Sequence, residues 1–163
     1  MRIFTLSTNP PNCHIDDSLF TLTSPTPTLF DQVADQLAKE ISEPEFLTEK
    51  WNKKTRRNEW QIERNRDANK STQLRKFYDE LTMWVDKTGN EEALSKNLPF
   101  IRMMNAKVAY ANGRKHVDDK FREWFSTCMR AIPSADKSSL TTLRNFKTLF
   151  EAFLGFYKIY RPK

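Results

Sequence analysis

The sequence is poor in the residues that build tight turns and reactive centres. Only 3 Gly occur in 163 residues, few for hairpin turns or phosphate-cradling loops, which argues against sandwiches, barrels, dinucleotide-binding sheets and P-loop enzymes. Two cysteines, Cys13 and Cys128, lie far apart, the pattern of reduced thiols in a cytosolic protein rather than of a disulfide scaffold. With 2 Cys and 2 His, no zinc site of familiar spacing can be assembled. Cys13-His14 with Asp16 and Asp17, and His116 with Asp118 and Asp119, are the groupings that bear ligand-type side chains. Both lie at element edges, and Asp118 and Asp119 suit the first turn of a helix, so no metal or other cofactor is expected. GxSxG, HExxH, GxxxxGK[ST] and facing carboxylate pairs are all missing. Cys128 falls on an apolar face as an inert core thiol. The sequence therefore does not read as an enzyme. No run approaches the roughly 18 apolar residues of a membrane span, and MRIFTLSTNPPN has no signal-peptide pattern.

Bulky apolar residues and positive charge are plentiful. Hydrophobic residues make up 38%, below the average of soluble domains, but they include 12 Phe, 4 Trp and 4 Tyr. The formal net charge is +6 and the pI about 9.4, and the charge is unevenly spread. Residues 1–49 hold 2 basic and 8 acidic side chains, whereas residues 50–76 hold 10 basic and 3 acidic ones. So dense a basic segment favours polyanions, because each cation that neutralises a phosphate releases condensed counterions.

Along the chain, residues 1–27 contain four of the 8 prolines and read as an irregular arm, with short extended pieces at Ile3-Phe4 and Leu19–Leu22. Helical periodicity begins at Phe30, with Val33, Ala34, Leu37, Ala38 and Ile41 on one face, Thr28 as N-cap and Pro44 as the stop. Residues 51–70 show no sustained apolar period and read as a basic loop or a weak, solvent-facing helix. Leu74, Phe77, Tyr78, Leu81, Trp84 and Val85 predict a second helix ending near Gly89. A third is expected from about Pro99, a good first-turn residue, to Asn112, with Gly113 as its C-terminal stop. A fourth spans about 117–132. The last, about 139–160, carries Leu143, Phe146, Phe150, Phe153, Tyr157 and Tyr160 over a broad apolar arc and belongs at the centre of a bundle. No segment alternates convincingly as a strand. The expectation is an all-α, compact bundle of about five helices, one domain over 28–163 behind the arm 1–27.

Three stretches carry binding potential. In Lys70-Ser71-Thr72-Gln73-Leu74-Arg75-Lys76 a helix starts at Ser71 or Thr72, and its free N–H groups, hydroxyls and cations can hold a phosphate or can form an ordinary N-cap. Met103, Lys107, Tyr110 and Arg114 form a stripe that sets Lys107 and Arg114 roughly 10 Å apart with Tyr110 between them, a spacing that can follow a nucleic-acid backbone. In 50–66, Trp51 and Trp60 sit among Lys53, Lys54, Arg56, Arg57, Arg64 and Arg66, either stacking on bases or, as favoured for Trp60, anchoring a loop.

The stretches STQLRKFYDEL (71–81), MNAKVAYANGRK (104–115) and LFEAFLGFYKIY (149–160) together resemble the small subunit of type III-A CRISPR–Cas effector complexes. The matching residues are Thr72, Leu74 and Arg75; Lys107, Tyr110, Gly113 and Arg114; and Phe150, Glu151, Ala152 and Phe153. The resemblance covers about residues 70–160. It implies a cytoplasmic, non-catalytic helical subunit in several copies, stacked beside the RAMP-type backbone subunits and the large polymerase-like subunit, with no membrane partner. Those copies would line the groove that holds guide RNA paired to target RNA, with Arg75, Lys107 and Arg114 on phosphates and Lys70 and Lys76 helping. Thr72, Gln73, Tyr110, Arg64 and Arg66 complete the candidate RNA-binding set. A subunit that accepts any guide should read backbone and shape, not base edges. The acidic, proline-rich N-terminal portion is longer than such a subunit needs, and the 50–66 stretch is unusually basic; the acidic end of one copy is expected to meet the basic face of the next, the head-to-tail contact of an open filament. The alternatives are a free-standing helical nucleic-acid binder, which lacks a helix-turn-helix pair or recognition face, and a protein-only adaptor bundle.

Overall fold

The fold is built around one long helix. In the computed structural model, which describes residues 21–134 and 137–161, α6 (Ser139–Tyr160) runs through the middle with Leu143, Phe146, Leu149, Phe150, Phe153 and Tyr157 buried. The apolar positions recur every three or four residues, so the buried arc winds around the helix and must be covered from several sides. A π-helical turn over Leu29–Val33 leads into α1 (Ala34–Ile41), and α1, α2 (Ser71–Lys87) and α3 (Glu91–Arg102) all pack on α6. α4 (Met104–Gly113) packs on α5 (Asp119–Arg130). Phe121, Trp124 and Phe125 of α5 meet Phe146, Phe150 and Phe153 of α6 with ring centroids 5.2–6.5 Å apart. Tilted and edge-on aromatic pairs of this kind each contribute about 0.5–1.5 kcal/mol beyond the area they bury.

Part of what was read as the N-terminal arm docks on α6. Leu22 is buried and its carbonyl accepts a hydrogen bond from Asn145 Nδ2 at 2.7 Å. Ile3-Phe4, Leu19 and the Cys13-His14-Asp16-Asp17 grouping lie outside the described residues.

Two expectations need correction. The protein is mostly helical but not all-α, because β1 (Glu45–Asn52) and β2 (Arg57–Arg64) form an antiparallel hairpin in the register Glu45↔Arg64 to Asn52↔Arg57. Its alternation is faint because a two-stranded ribbon leaning on a bundle buries little: Phe46 is the buried apolar residue of β1, while Leu47, Trp60 and Ile62 are only half-buried. Glycine is not needed for its turn. Asn52 Oδ1 accepts from the N–H of Lys54 at 2.9 Å, Arg56 takes the left-handed conformation at φ 51°, and Glu59 accepts from Asn52 Nδ2 and Thr55 Oγ1, both at 2.7 Å. An Asx side chain does locally what glycine does in shorter turns. Scarcity of glycine was therefore a poor guide to the absence of hairpins.

The second correction concerns Pro99, which lies inside α3 rather than opening a helix. The helix begins earlier, where Asn90 accepts from the N–H of Ala93 at 2.8 Å and Glu91 and Glu92 face the positive end of the dipole. Leu94, Leu98 and Ile101 bury one face, a periodicity present in the sequence. Pro99 removes one N–H from the ladder, and the helix is interrupted four residues later at Met103 before continuing as α4. Six α-helices result among the described residues.

Candidate nucleic-acid interface

A cleft of about 390 Å³ opens between two walls that the sequence separates by some forty residues. One wall is the loop before α2 and the start of that helix, contributing Asn65, Asp67, Lys70, Thr72 and Gln73; the other follows α4 and contributes Arg114, Lys115 and His116. The second wall is shaped by how α4 ends. The N–H of His116 bonds the carbonyl of Ala111 and the N–H of Lys115 that of Asn112, both at 2.8 Å, closing a Schellman motif. The left-handed residue of this motif is Lys115 at φ 59°, not Gly113, which has no positive φ. The helix therefore runs through Gly113, and a side chain sits where glycine is usual.

The first wall is organised by Asn69, which is fully buried and left-handed at φ 53°. Its Nδ2 donates to the last carbonyl of α1, Ile41, at 3.0 Å, and its Oδ1 accepts from the N–H of Asp118 at 2.8 Å. Its own N–H donates to the carbonyl of His116 at 2.9 Å, joining the two walls, and its carbonyl accepts from Tyr157 Oη at 2.6 Å. Burial pushes the Tyr157 phenol up to about 12, so it stays a donor. Arg161 holds the same loop by donating to the carbonyls of Ala68 (2.8 Å) and Arg66 (2.7 Å).

Asp118 and Asp119 are committed to structure. Asp118 caps α5 by accepting from the N–H of Phe121 at 2.9 Å and accepts from the N–H of Glu45 at 3.1 Å; Asp119 accepts from the N–H of Leu47 at 2.8 Å. They thus seat β1 against the bundle. Burial pushes the Asp118 carboxyl above its usual range, against the hydrogen bonds it accepts.

The cleft is electropositive. The start of α2 has no side-chain cap and no acid in its first turn, so its free N–H groups and dipole are open to anions, and Asp67 is the one carboxylate among the lining residues. Lys70 and Asp67 form a solvent-exposed pair at 3.6 Å. Arg114 donates to Tyr110 Oη at 3.0 Å and lies 5.7 Å over its ring, and that hydrogen bond raises the guanidinium pKa still further. Lys115 reaches the hairpin, 4.9 Å over the Phe46 ring and 3.6 Å from Glu63.

Lys70, Thr72, Gln73 and Arg114 are thus brought together. Arg75, Lys76, Lys107 and Tyr110 lie beyond the cleft lining on exposed faces of α2 and α4. Arg75 pairs with Asp79 at 3.0 Å, Lys107 with Glu80 at 2.6 Å, and Tyr110 is 67% exposed. Arg64 and Arg66 are also outside the lining; Arg64 pairs with Glu45 across the hairpin base at 3.4 Å. Sequence reasoning missed Asn65, Asp67, Lys115 and His116 as cleft residues. Lys115 directly follows Arg114 and could have been found; Asn65 and Asp67 carried no signal.

The family model described as Csm2 Type III-A matches residues 56–163. The chain belongs to that family. It is a small subunit of type III-A CRISPR–Cas complexes, assembled with other Csm subunits. Among curated proteins and among solved structures there is no match. Every cleft residue lies inside the matched region, whereas α1, β1 and most of the hairpin turn precede it. No helix among the described residues is long and apolar enough to cross a membrane.

Proposed function

We infer that this Csm2-family subunit is a non-catalytic, cytoplasmic RNA-binding scaffold that lines the groove for guide RNA paired to target RNA. The observation that carries this reading is the cleft itself, where an uncapped helix N-terminus meets Arg114, Lys115 and His116 from a second element. Peptide N–H groups and cations of this kind grip phosphate oxygens without reading bases, as a subunit serving any guide requires. Lys107, Tyr110 and Arg114 extend the contact along α4, and Lys70, Thr72, Gln73, Arg75 and Lys76 along α2. The partners are the RAMP-type backbone subunits, the large polymerase-like subunit and further copies of this chain, with multivalency adding up weak contacts. Chemistry belongs to those partners.

The test is the salt dependence of duplex binding by the assembled complex. Lys107→Ala and Arg114→Ala are each expected to lower the log–log slope by about 1 per copy, while His116→Ala leaves cleavage per bound RNA unchanged. Unaltered affinity and slope in both cation variants would overturn the RNA assignment and leave a protein-only adaptor.

A further inference from the structure

The densest positive charge lies not in the cleft but at the hairpin tip. Between Lys50 and Arg57 there are five basic residues and no acidic one, and all five are exposed. Lys50 and Arg57 make only long pairs, with Glu63 at 3.9 Å and Glu59 at 4.0 Å. Lys53, Lys54 and Arg56 have no ion pair among the described residues. The turn is nonetheless ordered by Asn52, Thr55 and Glu59, so the cations are held on a defined scaffold instead of a floppy loop.

Beside this tip stands Trp51, 61% exposed. The register Trp51↔Asn58 and Glu49↔Trp60 puts Trp51 and Trp60 on one face as diagonal neighbours, about 7–8 Å apart in such a ribbon. An indole left in water costs hydrophobic free energy, and neither a core nor a turn needs it there. An aromatic face rimmed by cations suits a nucleotide with an unpaired base: the base stacks on the indole and the phosphates meet the lysines. A duplex offers no free base face except at its ends. The five cations, against Glu49 beside the Trp pair and Glu45 at the far end of the same face, favour a polyanion over a protein surface. Lys115, which lines the cleft, rests on Phe46 and Glu63 near the base of the hairpin, on the face opposite Trp51, so the cleft and the hairpin tip are separate positive surfaces.

We propose that the β1–β2 hairpin is a second nucleic-acid contact, taking single-stranded RNA by stacking on Trp51 and phosphate pairing with Lys53, Lys54 and Arg56. Because the family match begins at residue 56, β1 and most of the turn, Trp51 included, lie outside what this chain shares with the family model. The proposal stands independently of the duplex-binding role of the cleft.

The experiment uses the full chain, a labelled oligouridine and a labelled RNA duplex of equal length, with anisotropy read across a salt series. Trp51→Ala is expected to weaken oligouridine binding about tenfold, and Trp51→Phe to retain most of it. Lys53→Ala with Lys54→Ala should lower the single-strand slope by about 0.7 for each cation. Duplex affinity should hold in these variants and fall in Arg114→Ala, so failure of one surface is distinguishable from failure of the other. An unchanged melting temperature checks that each variant folds; Trp51→Phe serves where Trp51→Ala does not. No oligouridine binding by the unaltered chain, equal losses on both probes, or no loss on either would overturn the proposal, the last leaving the hairpin as a protein-facing surface.

Discussion

Removing the Asn69 side chain should cost more than any surface change around the cleft, although Asn69 is fully buried and is not one of the cleft-lining residues. In Asn69→Ala the carbonyl of Ile41 and the N–H of Asp118 lose their partners inside the fold. An unsatisfied buried polar group costs about 1–3 kcal/mol, so the two together cost about 2–6. Alanine at φ 53° adds about 1–2 kcal/mol that asparagine tolerates better. The expected loss is about 3–8 kcal/mol, a large share of a typical domain's stability. For a chain of this size that lowers Tm by about 10 °C or more. Asn69→Gly loses the same two bonds but not the left-handed strain, so it should be about 1 kcal/mol more stable than the alanine variant. Urea unfolding followed by helical circular dichroism measures both. A loss below about 1 kcal/mol in Asn69→Ala, or alanine and glycine variants of equal stability, would refute the reasoning. Since the Asn69 backbone also joins the cleft walls through His116, loosening this loop should weaken duplex binding as well.

Other consequences follow from the same geometry. Lys115→Gly should be about 1 kcal/mol more stable than Lys115→Ala, because only the glycine relieves φ 59°; thermal melts of the pair decide it, and both should bind duplex less well. Tyr157 holds its proton up to about 12 in the fold against about 10 when unfolded. Its contribution is therefore complete below pH 10 and is lost as pH rises toward 12, a decline that Tyr157→Phe should not show in alkaline unfolding. Asp118, raised by burial, behaves likewise at the acid end: the protein should gain stability relative to Asp118→Asn as pH falls through its raised pKa. Glu59, lowered by its bonds to Asn52 and Thr55, has the opposite sign, and its contribution is lost as pH falls through its depressed pKa; hairpin amide shifts followed by NMR report it.

Much of this protein was legible in order of residues alone. Helix faces such as Leu74–Phe77–Tyr78–Leu81 and the run from Leu143 to Tyr157 were readable because burial repeats with the helical period, a local property. The three family stretches and the segregation of charge were equally local. The hairpin was not, because its strands bury few side chains and its turn is closed by Asn52 and Glu59 in place of glycine. Nor was α3 as a helix through Pro99, where Asn90 capping and three buried residues outweigh one missing N–H. A basic helical domain and four of its cleft residues, Lys70, Thr72, Gln73 and Arg114, could be read from residue order, because periodicity and charge clustering are local. That Lys115 and His116 face the start of α2 follows from tertiary contact, because the pairing rests on the left-handed turns at Asn69 and Lys115 and on the hydrogen bond from the Asn69 N–H to the His116 carbonyl, whose partners the chain separates by tens of residues.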